Sequence, residues 1–250
     1  MSVRHIAASC LLNGLTGCGA PPQPKATDSP GKGAAANAVA SATVALPAAT
    51  TPAALPASDS QPLSCVADIG SAAAQKRAAI CRNVSPATRP PCNVANSCAM
   101  IEDEIARSCA LFDGKGDPMP GCTPAPRSME AAAAVVSRYY SAINARDYVT
   151  AWSQWGEDGR PGQTLAQFEA GFMQTRSTRV TIGRLEPGDA GAGSVYQTVP
   201  VAVDAQLQDG TRQRFVGDYV VRRVNGVDGA SPAQLRWHID SAQLKAAPGW

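Results

Sequence analysis

The sequence predicts an α+β fold, with helices laid on one face of an antiparallel sheet over residues 128–245, preceded by a small disulfide-rich helical module and a disordered tether. Three observations predict it. Helical periods give way to strand periods within the last half of the chain, the pattern of helices packed on a sheet. Asp209-Gly210 stands between two runs of alternating apolar and polar residues, a strong hairpin signal. Six cysteines crowd between positions 65 and 122 of a chain that opens like an exported protein. The length of 250 residues allows one ordinary domain with appendages or two small ones. A formal charge of +2 offers no clustered basic footprint for nucleic acid.

Residues 1–17 begin with Arg4 and His5 and continue through an apolar run over positions 6–15. This run is too short to span a membrane and reads as a signal peptide. The tetrapeptide Leu15-Thr16-Gly17-Cys18 resembles the lipobox of bacterial lipoproteins. That resemblance implies that the Cys18 thiol takes a diacylglycerol and becomes the mature N-terminus, which makes the membrane a partner through lipid. Gly19 follows the cysteine where the inner-membrane retention signal resembles Asp, so an outer-membrane anchor is expected, on the periplasmic side or the cell surface. Residues 18–62 are almost wholly Ala, Pro, Thr, Ser, Val and Gly, without a period that buries a face. They are expected to form a disordered tether.

Residues 63–123 hold Cys65, Cys81, Cys92, Cys98, Cys109 and Cys122. An even set in an exported chain reads as three disulfides. The spacing lacks the close pairs of a zinc ribbon and no His accompanies it, so no metal is expected. Helices are expected over residues 66–81 and 96–112; in the second, Cys98, Ile101, Ile105, Cys109 and Phe112 recur at three and four residues and form a buried stripe. Fifteen pairings are open. Bridges between the two helices, such as Cys81 with Cys98 or Cys65 with Cys109, are examples.

Beyond a linker at 123–127, Ser128 caps a helix that carries Ala132, Val135, Val136, Tyr139, Tyr140 and Ile143 on one stripe. Asp147 caps a second helix with Tyr148, Ala151, Trp152 and Trp155. Thr164 caps a third with Leu165, Phe168 and Phe172. Strands are expected over 179–185, 194–208, 211–224 and 234–244. The two long ones exceed the usual strand length and are expected to bend or bulge.

The run from Arg138 to Tyr148, RYYSAINARDY, followed by Ala151-Trp152, resembles the opening of SnoaL-like domains of the nuclear transport factor 2 superfamily. Leu235-Arg236-Trp237-His238-Ile239 resembles the last strand of that family. The resemblance covers residues 128–245 and implies a cone of three helices against a curved antiparallel sheet, with a pocket between them and dimers formed through the sheet face. Pocket candidates are Tyr139, Trp152, Trp155, Phe172, Tyr219 and Trp237.

Strand phase decides which polar groups reach such a pocket. Val199, Val201, Val203, Ala205 and Leu207 share a phase opposite to Asp204. Phe215, Gly217, Tyr219 and Val221 oppose Arg214, Asp218 and Arg222, and Leu235, Trp237 and Ile239 oppose Arg236, His238 and Asp240. Every ionisable strand group except Arg223 and Arg212 is placed on the face away from the aliphatic stripe, so no catalytic residue and no cofactor is assigned. The expectation is a non-enzymatic envelope lipoprotein with a binding module, whose partner is an envelope protein more than a small molecule. The rival is a small-molecule enzyme or binder using the cone, with Tyr219, His238 or Asp240 involved, and a third reading is a structural spacer. A deep cavity with an inward carboxylate or imidazole favours the enzyme, and a filled cone excludes it.

Overall fold

The computed structural model describes residues 61–113 and 115–248. The expected signal segment, Cys18 and all of the expected tether except residues 61 and 62 lie outside the described residues.

The chain enters through two helices where the periodicity suggested one. Helix α1 (Cys65–Ile69) ends and α2 (Ser71–Val84) begins at Gly70, whose φ of +83° no helical residue adopts. Helix α3 (Cys98–Phe112) starts at Ser97, whose hydroxyl accepts the Met100 amide at 3.1 Å. Helices α2 and α3 pack through Ala74, Cys81, Val84, Ile101 and Ile105, and Arg77 clamps Glu102 with two bonds of 2.5 Å.

The disulfides are Cys65–Cys98, Cys81–Cys92 and Cys109–Cys122. Neither of the two example pairings occurs. A single bridge joins two helices, α1 to α3, whereas Cys81 and Cys109 each bind the chain that follows their own helix. The reason is local. The proline-punctuated segment after α2 returns to its last turns, where Arg82 donates to the Cys92 carbonyl at 3.0 Å. Residues after α3 return in the same way to bring Cys122 to Cys109.

Three capped helices follow. Helix α4 (Met129–Asn144) is capped by Ser128, α5 (Tyr148–Ser153) by Asp147, and α6 (Leu165–Phe172) by a reciprocal Thr164 and Gln167 box. Asp147 also accepts the Ser97 hydroxyl, so the caps of α3 and α5 are one hydrogen-bonded unit.

The sheet contains β1 (Thr175–Ile182), β2 (Asp189–Gly191), β3 (Ser194–Leu207), β4 (Arg212–Val224) and β5 (His238–Ala247), with the short helix α7 (Pro232–Leu235) before β5. The order is β1-β3-β4-β5, with β2 paired to β3, and every pairing is antiparallel. Gly210 at φ +85° turns the β3–β4 hairpin. The register of that hairpin runs from Ser194↔Val224 to Gln206↔Arg212 without a break. Irregularity falls instead on its neighbours, between Thr175 and Ser177 in β1 and at Asp240 in β5. Residues 234–237 are not strand, because Ser231 and Gln234 form a capping box around Pro232 that starts a helical turn. Strand β1 begins four residues earlier than its apolar pattern suggests, since its pairing with β3 sets its limits.

The core lies between α4 and the sheet. Val135, Val136, Tyr139, Tyr140 and Ile143 pack on Val199, Val201, Val203, Tyr219, Val221 and Ile239. The fold is thus α+β, with helices on one face of a curved antiparallel sheet and the disulfide-rich helices joined ahead of it.

Candidate functional site: the hollow of the cone

Helices α4 and α6 and the inner faces of β1, β3, β4 and β5 border an open hollow of about 410 Å³. That lies toward the lower end of the range for small-molecule sites, roughly 300–1,000 Å³. One wall is aromatic and aliphatic, with Phe172 from α6, Val203 from β3, Phe215 from β4, and Leu244 from β5. Strand phase puts these residues inside, as the alternation of β3 and β4 predicted. The phase of β5 is reset at the Asp240 bulge, which turns Ala242 and Leu244 inward.

The polar lining combines three phenols with Thr175, Thr178 and Gln213. Tyr140 and Tyr219 share a hydrogen bond of 2.7 Å between their hydroxyls. Tyr139 packs beside them, its ring centroid 5.0 Å from that of Tyr140 and 6.2 Å from that of Tyr219. All three rings are at most 6% exposed. Burial pushes each phenol well above its ordinary pKa, with the neighbouring phenols adding to the rise for Tyr139 and Tyr219. The group is therefore neutral at any physiological pH and acts as a hydrogen-bond donor and acceptor, not as a base.

Among the described residues, Arg160 supplies the one charge on the lining. It comes from the loop 156–162 between α5 and α6, with its guanidinium carbon 5.1 Å from the centroid of the Trp155 ring. Neither strand phase nor helix period reports this residue, because Arg160 reaches the cone from a loop. The available signal was an arginine five residues beyond an inward-facing tryptophan, inside a stretch whose Gly156, Gly159 and Gly162 all take positive φ. At Gly159, with φ +70°, a Cβ would fall 1.7 Å from the Trp152 ring, so only glycine lets the loop lie flat on that indole.

Of the six pocket candidates, Tyr139, Trp155, Phe172 and Tyr219 line the hollow. Trp152 does not. Its ring packs edge-on to Phe168 at 5.5 Å and supports the loop from behind. Trp237 does not either, because the helical turn at Pro232 displaces it from the strand, and its ring carries the Arg223 guanidinium at 5.1 Å. The inward phase of Arg223 is thus absorbed by an indole, and Arg212 is exposed at the start of β4.

Asp204, Asp218, His238 and Asp240 are all off the lining. Asp204 pairs with Arg214 at 3.1 Å on the outer face. His238 faces a separate hollow with Glu157, Asp158 and Arg222, beyond Trp155, and burial lowers its pKa. Among the described residues no group of His, Cys, Asp and Glu is placed to hold a metal ion.

Behind the site, α3 supplies a buried carboxylate. Asp103 accepts two bonds of 3.0 Å from Arg236 and one of 2.9 Å from the Gln154 amide, with Arg138 at 3.4 Å. The Gln154 carbonyl takes the Ile239 amide at 2.7 Å. Asp103 therefore holds the residue that precedes Trp155 and joins it to β5. Burial alone pushes this carboxyl up, but Arg236, Arg138 and Gln154 outweigh it and hold it below its usual range.

No family model and no curated protein matches the chain. Among solved structures it is similar to a conserved protein from Planctomyces limnophilus, at 14% identity and TM-score 0.35 over 47% of this chain and 96% of that one. It is similar to a proposed scytalone dehydratase from Novosphingobium aromaticivorans, at 14% identity and TM-score 0.36 over 48% and 84%. A third is a proposed dehydratase of the NTF2-like family from Streptomyces avermitilis, at 14% identity and TM-score 0.33 over 48% and 96%.

Proposed function

We propose that this chain is an exported lipoprotein, anchored through Cys18, whose cone is a binding module for a small molecule that it holds without turning it over. The observation that carries the reading is the hollow of about 410 Å³, open at its mouth and lined by apolar rings and a neutral phenol cluster. General acid–base work is most efficient for a group whose pKa lies near the operating pH, and burial moves these phenols further from it. Phenols with raised pKa and an arginine serve instead to orient and retain. The open hollow moves the weight from an envelope protein on the sheet face toward a small ligand inside the cone. The LTGC tetrapeptide at positions 15–18 and the Ala/Pro-rich stretch behind it support the envelope address.

The test is a fluorescence titration of the full chain with N-phenyl-1-naphthylamine, a neutral aromatic that brightens in apolar surroundings. Gly171→Trp is the blocking variant. Gly171 lines the hollow and a Cβ there meets nothing within 4 Å, so a larger side chain starts from open space at the rim. Saturable binding to the wild type that is lost in this variant is expected. Equal binding in both, or none in the wild type, would overturn the reading.

A further inference from the structure

We infer that the cone selects an organic anion with a flat apolar body, its negative group met by Arg160 and its remaining acceptor by the Tyr140 and Tyr219 hydroxyls. The inference rests on the cone being a binding site and names the chemistry of what it takes.

Arg160 is the only charged side chain on the lining among the described residues. It forms no ion pair among them, although Glu157 and Asp158 stand three and two positions earlier on the same loop. Its guanidinium carbon lies over the face of Trp155, 5.1 Å from the ring centroid, and among the described residues its N–H groups make no hydrogen bond. The charge is felt deep in the hollow. It opposes the upward pull of burial on Tyr139, on Tyr140 and on Tyr219 alike.

The phenol pair adds a donor of its own. Within the 2.7 Å bond one hydroxyl gives its proton to the other, and the second proton remains available to a ligand oxygen. A fixed cation at the mouth and a spare O–H at depth favour a molecule carrying negative charge, because charge-assisted bonds to a guanidinium are about twice as strong as neutral ones. A cationic ligand would meet no carboxylate on the lining and would be repelled by Arg160. Phe172, Phe215, Val203 and Leu244 supply the flat apolar surface on which the rest of the molecule lies.

Two probes with the same ring skeleton separate charge from shape. 8-Anilino-1-naphthalenesulfonate carries a sulfonate that N-phenyl-1-naphthylamine lacks. In full-chain titrations Arg160→Gln is expected to weaken the sulfonate probe about tenfold and leave the neutral probe within about twofold, since the lost interaction is a charge-assisted bond. Arg160→Lys should recover part of the loss. Added salt should weaken the sulfonate probe in the wild type and not in Arg160→Gln. If Arg160→Gln affects both probes equally, or neither, the anion assignment falls while cone binding stands. If both probes bind Gly171→Trp as they bind the wild type, the cone itself is not the site.

Discussion

Asp103 ties helix α3 to Arg138 of α4, to Gln154 and to Arg236. It is the carboxylate for Arg138 and Arg236, both nearly buried, and removing one partner of such a group leaves an uncompensated charge that costs roughly 3–5 kcal/mol. Asp103→Asn is expected to destabilise the chain by about that amount in denaturant titration. The pH dependence has a definite sign. Because the folded-state pKa lies below the unfolded one, the contribution is complete above about pH 4 and is lost as pH falls through the folded value. The wild type should therefore lose stability on acidification below about pH 4 more steeply than Asp103→Asn. None of this was legible in the sequence. Asp103, Arg138, Gln154 and Arg236 lie on different elements, and an acidic residue in an amphipathic helix reads as a solvated face. The inward phase of Tyr219 was legible, because alternation along a strand needs no tertiary knowledge. Its hydrogen bond with Tyr140 was not.

At the scale of elements, caps and periods carried the reading furthest. Ser128, Asp147 and Thr164 start the helices their side chains predict, since a local hydrogen bond to the third amide depends on nearby residues alone. What failed depends on longer range. Strand β1 is mostly polar and its limits come from its partner β3, while β2 has only three residues and no pattern of its own. The loop 156–162 is the element through which the cone receives its charge. Gly159→Ala would place a methyl inside the Trp152 ring at positive φ, where left-handed backbone alone costs about 1–2 kcal/mol. It is expected to shift Arg160 and to weaken anionic probe binding more than it lowers global stability, as paired titration and denaturation curves would show. For the helical module, the pair Cys65→Ser with Cys98→Ser removes the one bridge between α1 and α3. A loss of about 2–4 kcal/mol is expected in thermal or denaturant unfolding.

At the scale of the whole molecule, the α+β class, the hairpin at Asp209-Gly210 and the inner face of the sheet follow from the sequence, because helix and strand periods differ and their order along the chain is plain. Disulfide pairing does not follow, since it is fixed by where loops return and spacing alone leaves all fifteen options open. The openness of the cone does not follow either. A hollow is the difference between enclosed space and side-chain volume, and no local pattern reports it. The envelope address makes a separate prediction. Cys18→Ser should move the chain expressed in a bacterial host from the detergent phase to the aqueous phase on Triton X-114 partition, and retention of the wild-type distribution would argue against the lipid anchor. The central claim is that the ligand sits beneath the helices. Intermolecular nuclear Overhauser contacts between N-phenyl-1-naphthylamine and methyl-labelled full chain test it most directly. The account predicts contacts to Val203 and Leu244, on the inner wall, and contacts to Val216 and Val220, on the outer face of β4, would contradict it.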